Sequence, residues 1–92
     1  MHTGIVLIHA DVARIPEVAQ QVADIDGISE CYSVTGDVDL IAVAHVREYE
    51  DLAKVVADRI GKVEGVVRMT TYIAFQTFSR TDLEQAFHIG LD

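Results

Sequence analysis

A chain of 92 residues makes one domain, and a chain that is half apolar is too hydrophobic to stay disordered. Fifteen Asp and Glu against seven Lys and Arg leave a formal charge of −8, a balance that repels phosphate backbones and argues against nucleic-acid binding by this chain alone. No apolar run reaches the ~18 residues that cross a bilayer, no secretory signal is visible, and the single cysteine, Cys31, excludes an internal disulfide, so a reducing, cytoplasmic setting is expected. The first strand is expected over residues 4–9, where Ile5-Val6-Leu7-Ile8 is continuously apolar. A helix is expected over residues 14–25, with Ile15, Val18, Ala19 and Val22 on one face, Asp11 as a nearby cap and Pro16 in the first turn. Gly27 is a helix stop, residues 28–35 a second strand, Gly36-Asp37 a tight hairpin turn, and residues 38–46 a third strand. The second helix is expected over residues 49–62, with Leu52, Val55, Val56, Ile60 and Val63 as its buried stripe. Acidic residues crowd its start and Arg59 and Lys62 its end, as the helix dipole favours. The fourth strand is read over residues 66–78 and a short helix over residues 81–87, capped by Thr81 with Glu84 three residues on.

Laying Gly27 on Gly65 brings part of the chain onto itself. Ile25-Asp26-Gly27-Ile28 meets Val63-Glu64-Gly65-Val66, Val18-Ala19 meets Val56-Ala57, and Ile5-Val6 meets Val43-Ala44. Two copies of strand, helix, acidic-Gly turn and strand make a duplicated βαβ unit. The order βαββαβ is the ferredoxin-like α+β two-layer sandwich, spanning residues 1–80 and followed by a helical tail over residues 81–92. With both helices on one side of the sheet, the other side should be polar, yet the first and third strands are apolar on both. Such a face is larger than monomers expose. A second copy packed sheet to sheet is the expected cover, because the segment after Thr81 is too short to span four strands.

Enzyme motifs are missing. Cys31 lies mid-strand with no base beside it in sequence, and His2, His9, His45 and His88 have no metal-ligand spacing. No phosphate-cradling glycine loop is present, so no catalytic residue, metal or cofactor is expected. The run Val34-Thr35-Gly36-Asp37-Val38-Asp39 is the one concentration of binding chemistry. Turn amides can hold a carboxylate and nearby Asp side chains an ammonium, which suits an amino-acid zwitterion. The competing reading is a surface turn whose Asp residues cap the backbone.

This corner, with Gly27-Ile28 and Cys31-Tyr32-Ser33 before it and Leu40-Ile41 after it, resembles the effector-binding (RAM) domain of the Lrp/AsnC transcription factors. Gly65-Val66-Val67-Arg68 and Thr71-Tyr72-Ile73 are similar to the family's closing strand, and the run from Asp82 to Gly90 to the tails of its short members. The resemblance implies a fold of the dimeric α/β-barrel type. It also implies dimers assembled into rings of four or five, an octamer or decamer, with an amino-acid effector held where dimers meet. It casts Thr35, Gly36 and Asp37 as loop donors, Asp39 as the carboxylate near the amino group, Thr71 as a hydroxyl from the fourth strand and Tyr32 as a wall. Val38 stands where an aromatic often precedes the second Asp, and Met69-Thr70 replaces part of an expected Thr-x-Thr pattern. The chain starts at the first strand, so the stand-alone form is expected, without a helix-turn-helix of its own and able to partner full-length Lrp/AsnC regulators. The alternatives are a purely structural oligomerisation module and a small dimeric α/β-barrel enzyme, for which Arg68 and the strand-end histidines would be the only polar candidates.

Overall fold

The first helix is set by Asp11, whose carboxylate accepts the Ala13 N–H at 3.0 Å and caps a 3-10 turn over Val12–Arg14. In the computed structural model, which describes residues 1–80, this turn leads from β1 (His2–Ala10) into α1 (Ile15–Ala23), with Pro16 in the first turn as expected. Strands β2 (Ile28–Ser33) and β3 (Leu40–Val46) follow, then α2 (Tyr49–Ala53) and β4 (Val66–Ile73). The sheet is antiparallel in the order β2-β3-β1-β4, the ferredoxin-like arrangement expected of the duplicated unit. The expected helix over residues 81–87 lies outside the described residues.

Both helices cover one face. Val6 and Ile8 of β1, Leu40, Ala42 and Ala44 of β3, Val18 and Val22 of α1, and Ile60 are buried to zero exposure. Each large member stabilises by about 1.5–3 kcal/mol relative to an exposed side chain. Register places the opposite set on the uncovered face: Ile5, Leu7, Ile41 and Val43 at the centre, Tyr32 and Tyr72 on the two edge strands. Thr3 and His45, linked Oγ1 to Nδ1 at 3.0 Å, border this patch at one end. At the other end Arg68 Nη2 donates to His9 Nε2 at 3.3 Å. The histidines pair with different strands at opposite ends of the sheet, so one chain cannot bring His9 and His45 to a shared ion.

The repeat is written into the backbone. Gly27 and Gly65, equivalent positions of the two halves, have φ of +97° and +103°, and each lies against the other half's helical segment. A Cβ on Gly65 would stand 2.7 Å from Val18 Cγ2, and one on Gly27 3.0 Å from Val55 Cγ2. The turns that end the helices are therefore also where the two halves lock together.

Three local expectations are corrected. The β2–β3 connection is a six-residue loop over residues 34–39 rather than a two-residue turn, closed by Val34 N–H donating to the Asp39 carbonyl at 3.1 Å. Strand β4 stops at Ile73, and after one further bond, from the Ala74 N–H to the Thr3 carbonyl at 2.9 Å, the chain leaves the sheet with Phe75 and Phe78 exposed. The segment from Tyr49 is not one uniform α-helix: it continues as a π turn over Lys54–Arg59 and a 3-10 turn over Ile60–Lys62. Its inward stripe is as expected, with Leu52, Val55 and Ile60 buried and Val56 and Val63 partly so.

Candidate functional site

At the loop over residues 34–39, Asp39 binds the hairpin to the centre of the sheet. Its N–H donates to the Ile8 carbonyl at 3.0 Å, and its Oδ2 accepts the Ala10 N–H at 2.9 Å, where β1 shifts register between His9 and Ala10. One carboxylate oxygen is thus engaged in holding the fold, and the other keeps its lone pairs. Thr35, Gly36 and Asp37 are exposed around it, with Gly36 at φ +119° in open space. The His9–Arg68 pair lies at the same end of the sheet, His9 preceding the Ala10 whose N–H the Asp39 carboxylate accepts. Because a guanidinium only donates, His9 Nε2 is the acceptor in this pair.

The other two residues singled out from the sequence lie elsewhere. Tyr32 pairs with Ile41 and points to the uncovered face on edge strand β2. The Glu30 carboxylate, hydrogen-bonded beside it, pushes its phenol above the usual range. Thr71 pairs with Val6 and lies on the helix side of β4, the opposite edge. Three strand spacings separate the edges, roughly 14 Å. Thr71 instead lines an apolar groove of about 450 Å³ with Tyr49, Leu52, Val56 and Ile73. Within one chain the corner and Thr71 do not meet.

Cys31 is half-buried on the helix side, opposite Ala42. Burial pushes its thiol up, so at a given pH less of it is thiolate than of a free thiol. Alkylation by iodoacetamide should be several-fold slower than for a small thiol, with its rate profile displaced to higher pH; reaction at the small-thiol rate would show that edge strand β2 frays.

Residues 3–83 match the family model described as the Lrp/AsnC ligand binding domain. The chain belongs to the Lrp/AsnC family. Over 63 residues it is 33% identical to the HTH-type transcriptional regulator LrpA of Pyrococcus horikoshii, covering 68% of this chain and 45% of that regulator. This Lrp/AsnC domain therefore spans less than half the length of the curated relative it matches. It is 36% identical to TTHA0845 from Thermus thermophilus, with a TM-score of 0.82 over 87% of this chain and all of the other. The transcriptional regulator NMB0573 of Neisseria meningitidis, solved with L-Met, shares the fold at a TM-score of 0.75 and 16% identity, over 86% of this chain and 53% of that one. The family and its LrpA member are regulators of transcription, not enzymes, which speaks against the small dimeric α/β-barrel enzyme reading. Among the described residues no helix is long and apolar enough to cross a membrane.

Proposed function

We propose that this Lrp/AsnC domain senses a small effector, an amino acid, at a seam between dimers, and has no DNA binding of its own. The observation that carries the reading is a separation within the chain. Thr35, Gly36, Asp37 and Asp39 form a polar corner where the 34–39 loop meets the end of β1, while Thr71 sits midway along edge strand β4 on the helix side of the sheet. Only neighbouring copies can bring such groups onto one ligand, and the apolar sheet face supplies the reason for copies to associate. In this assembly the loop amides and Thr35 take the carboxylate, Asp37 and the free Asp39 oxygen take the ammonium, Thr71 of a neighbour adds a hydroxyl and Tyr32 walls the site. The L-Met in the NMB0573 structure supports the ligand class. The net charge of −8 supports a role without direct DNA contact, exerted through rings of four or five dimers or through full-length family regulators.

One observation favours the structural module instead: Asp39 already has a structural task at Ala10. A thermal-shift screen of the twenty amino acids separates the two. A true effector at ~100 Kd adds ~2.7 kcal/mol, a rise on the order of 10–20 °C for a domain this small. Asp39→Asn keeps an acceptor for the Ala10 N–H but loses the charge, so it should abolish the ligand shift and leave the basal melting temperature nearly unchanged. No shift with any amino acid would leave the structural module as the function.

A further inference from the structure

The end of the sheet away from the 34–39 corner carries a second cavity of about 290 Å³. Its floor is apolar, made by Gly27, Val46 and Val55. Its walls hold Arg47, Lys54 and Arg59, three of the seven Lys and Arg in a strongly acidic chain, against two carboxylates, Asp26 and Asp51. Among the described residues neither the Arg47 nor the Lys54 side chain has an ion-pair or hydrogen-bond partner, although both share a cavity with two aspartates.

The π turn builds this arrangement. In an α-helix, residues five apart stand about 140° apart around the axis. Here the Ile60 N–H reaches back to the Val55 carbonyl, a hydrogen bond spanning five residues, and such a wide turn narrows the angle between residues five apart. Lys54 and Arg59 consequently share one side, above the 26–27 turn. Arg59 is held there by its Nη1 donating to the Asp26 carbonyl at 3.1 Å. Its remaining N–H groups are left to bind a planar, two-oxygen anion.

We infer that this cavity binds a small organic acid through its carboxylate, with Arg59 and Lys54 as the principal ligands, Arg47 as the third cation, and the Gly27–Val46–Val55 floor receiving the carbon chain. Asp26 and Asp51 disfavour compact dianions and leave a place for an ammonium, so the class includes amino acids as well as simple carboxylic acids. The site stands independently of the effector reading at the 34–39 corner, because the two share no residue.

Isothermal titration of the whole chain with glutarate, glutamate and inorganic phosphate, at ionic strength matched with NaCl, tests it. Saturable glutarate binding in the millimolar range or tighter is expected, weakened at least tenfold by Arg59→Gln and by Lys54→Gln and unchanged by Asp39→Asn. Both cation variants are exposed and should keep the wild-type circular dichroism and melting temperature. Glutamate binding tighter than glutarate, with the advantage lost in Asp51→Asn, would place an ammonium at Asp51; equal affinity would assign recognition to the carboxylate alone. Heats no larger than those of NaCl, affinity unaffected by the double variant Lys54→Gln/Arg59→Gln, or preference for phosphate over both acids would overturn the inference. Loss of glutarate binding in Asp39→Asn alone would place the ligand at the corner instead.

Discussion

Gly65→Ala should lower stability by ~2–4 kcal/mol, the largest single-methyl effect expected in this chain. Two costs coincide there. A φ of +103° is strained for any L side chain, at roughly 1–3 kcal/mol. The new Cβ would also stand 2.7 Å from Val18 Cγ2, and Val18 has no exposed surface through which to retreat. Overpacking of that kind typically costs a further ~1–3 kcal/mol, partly relieved by backbone shifts, at ~1.4 kcal/mol per tenfold change in the folding constant. Gly36→Ala is the internal control. Its φ of +119° carries the same strain, but nothing lies within 4 Å of the added methyl. It should cost only about 1 kcal/mol. Urea unfolding of the two variants at one protomer concentration checks this; equal midpoints would mean that the Gly65–Val18 contact does not hold the halves together.

The same pair of glycines shows what was legible in advance. Gly27 and Gly65 stand out in the sequence as one repeated position, and both have the positive φ that ends each helical segment. The strands, their order and the double-sided apolar character of β1 and β3 were readable because period and composition are local properties of the chain. Facing was not. The bulge between His9 and Ala10 sets the parity of β4 against β1, and that parity puts Thr71 on the helix side while Tyr32 faces away from it. A residue list assembled from one motif could not show that its members occupy two edges and two faces. The cluster of Arg47, Lys54 and Arg59 was equally hidden, because at α-helical spacing Lys54 and Arg59 diverge, and only the π turn aligns them. The length of the 34–39 loop escaped for a related reason. Asp39 turns its carboxylate to β1 rather than extending the pairing of β2 with β3, a non-local choice.

The uncovered sheet face has the largest expected effect on the state of the molecule. Ile5, Leu7, Ile41 and Val43 lie side by side on adjacent strands, so they form one continuous patch rather than scattered apolar residues. Tyr32 and Tyr72 extend it to both edges, each at least half-exposed. At ~25 cal/mol per Å², a shared patch of even a few hundred Å² per copy stabilises association by several kcal/mol before its entropic cost. The bordering polar groups are mutually satisfied, Thr3 with His45 and Arg68 with His9, so closing a second sheet over the centre does not strand them. The wild-type chain of 10.1 kDa should therefore run at about twice that mass or above by light scattering at micromolar concentration. Leu7→Glu with Ile41→Glu should reduce it to the single-chain mass. Both substitutions point away from the buried set of Val6, Ile8, Leu40 and Ala42, so far-ultraviolet circular dichroism should remain that of the folded sheet. A folded single chain is the informative product, because it would then lose any amino-acid shift as well if the effector needs a neighbour's Thr71. Retention of the ligand shift by that monomer would show that the corner binds within one chain. A wild-type protein already at the single-chain mass, folded and unassociated, would remove the physical reason for placing the site at a seam at all.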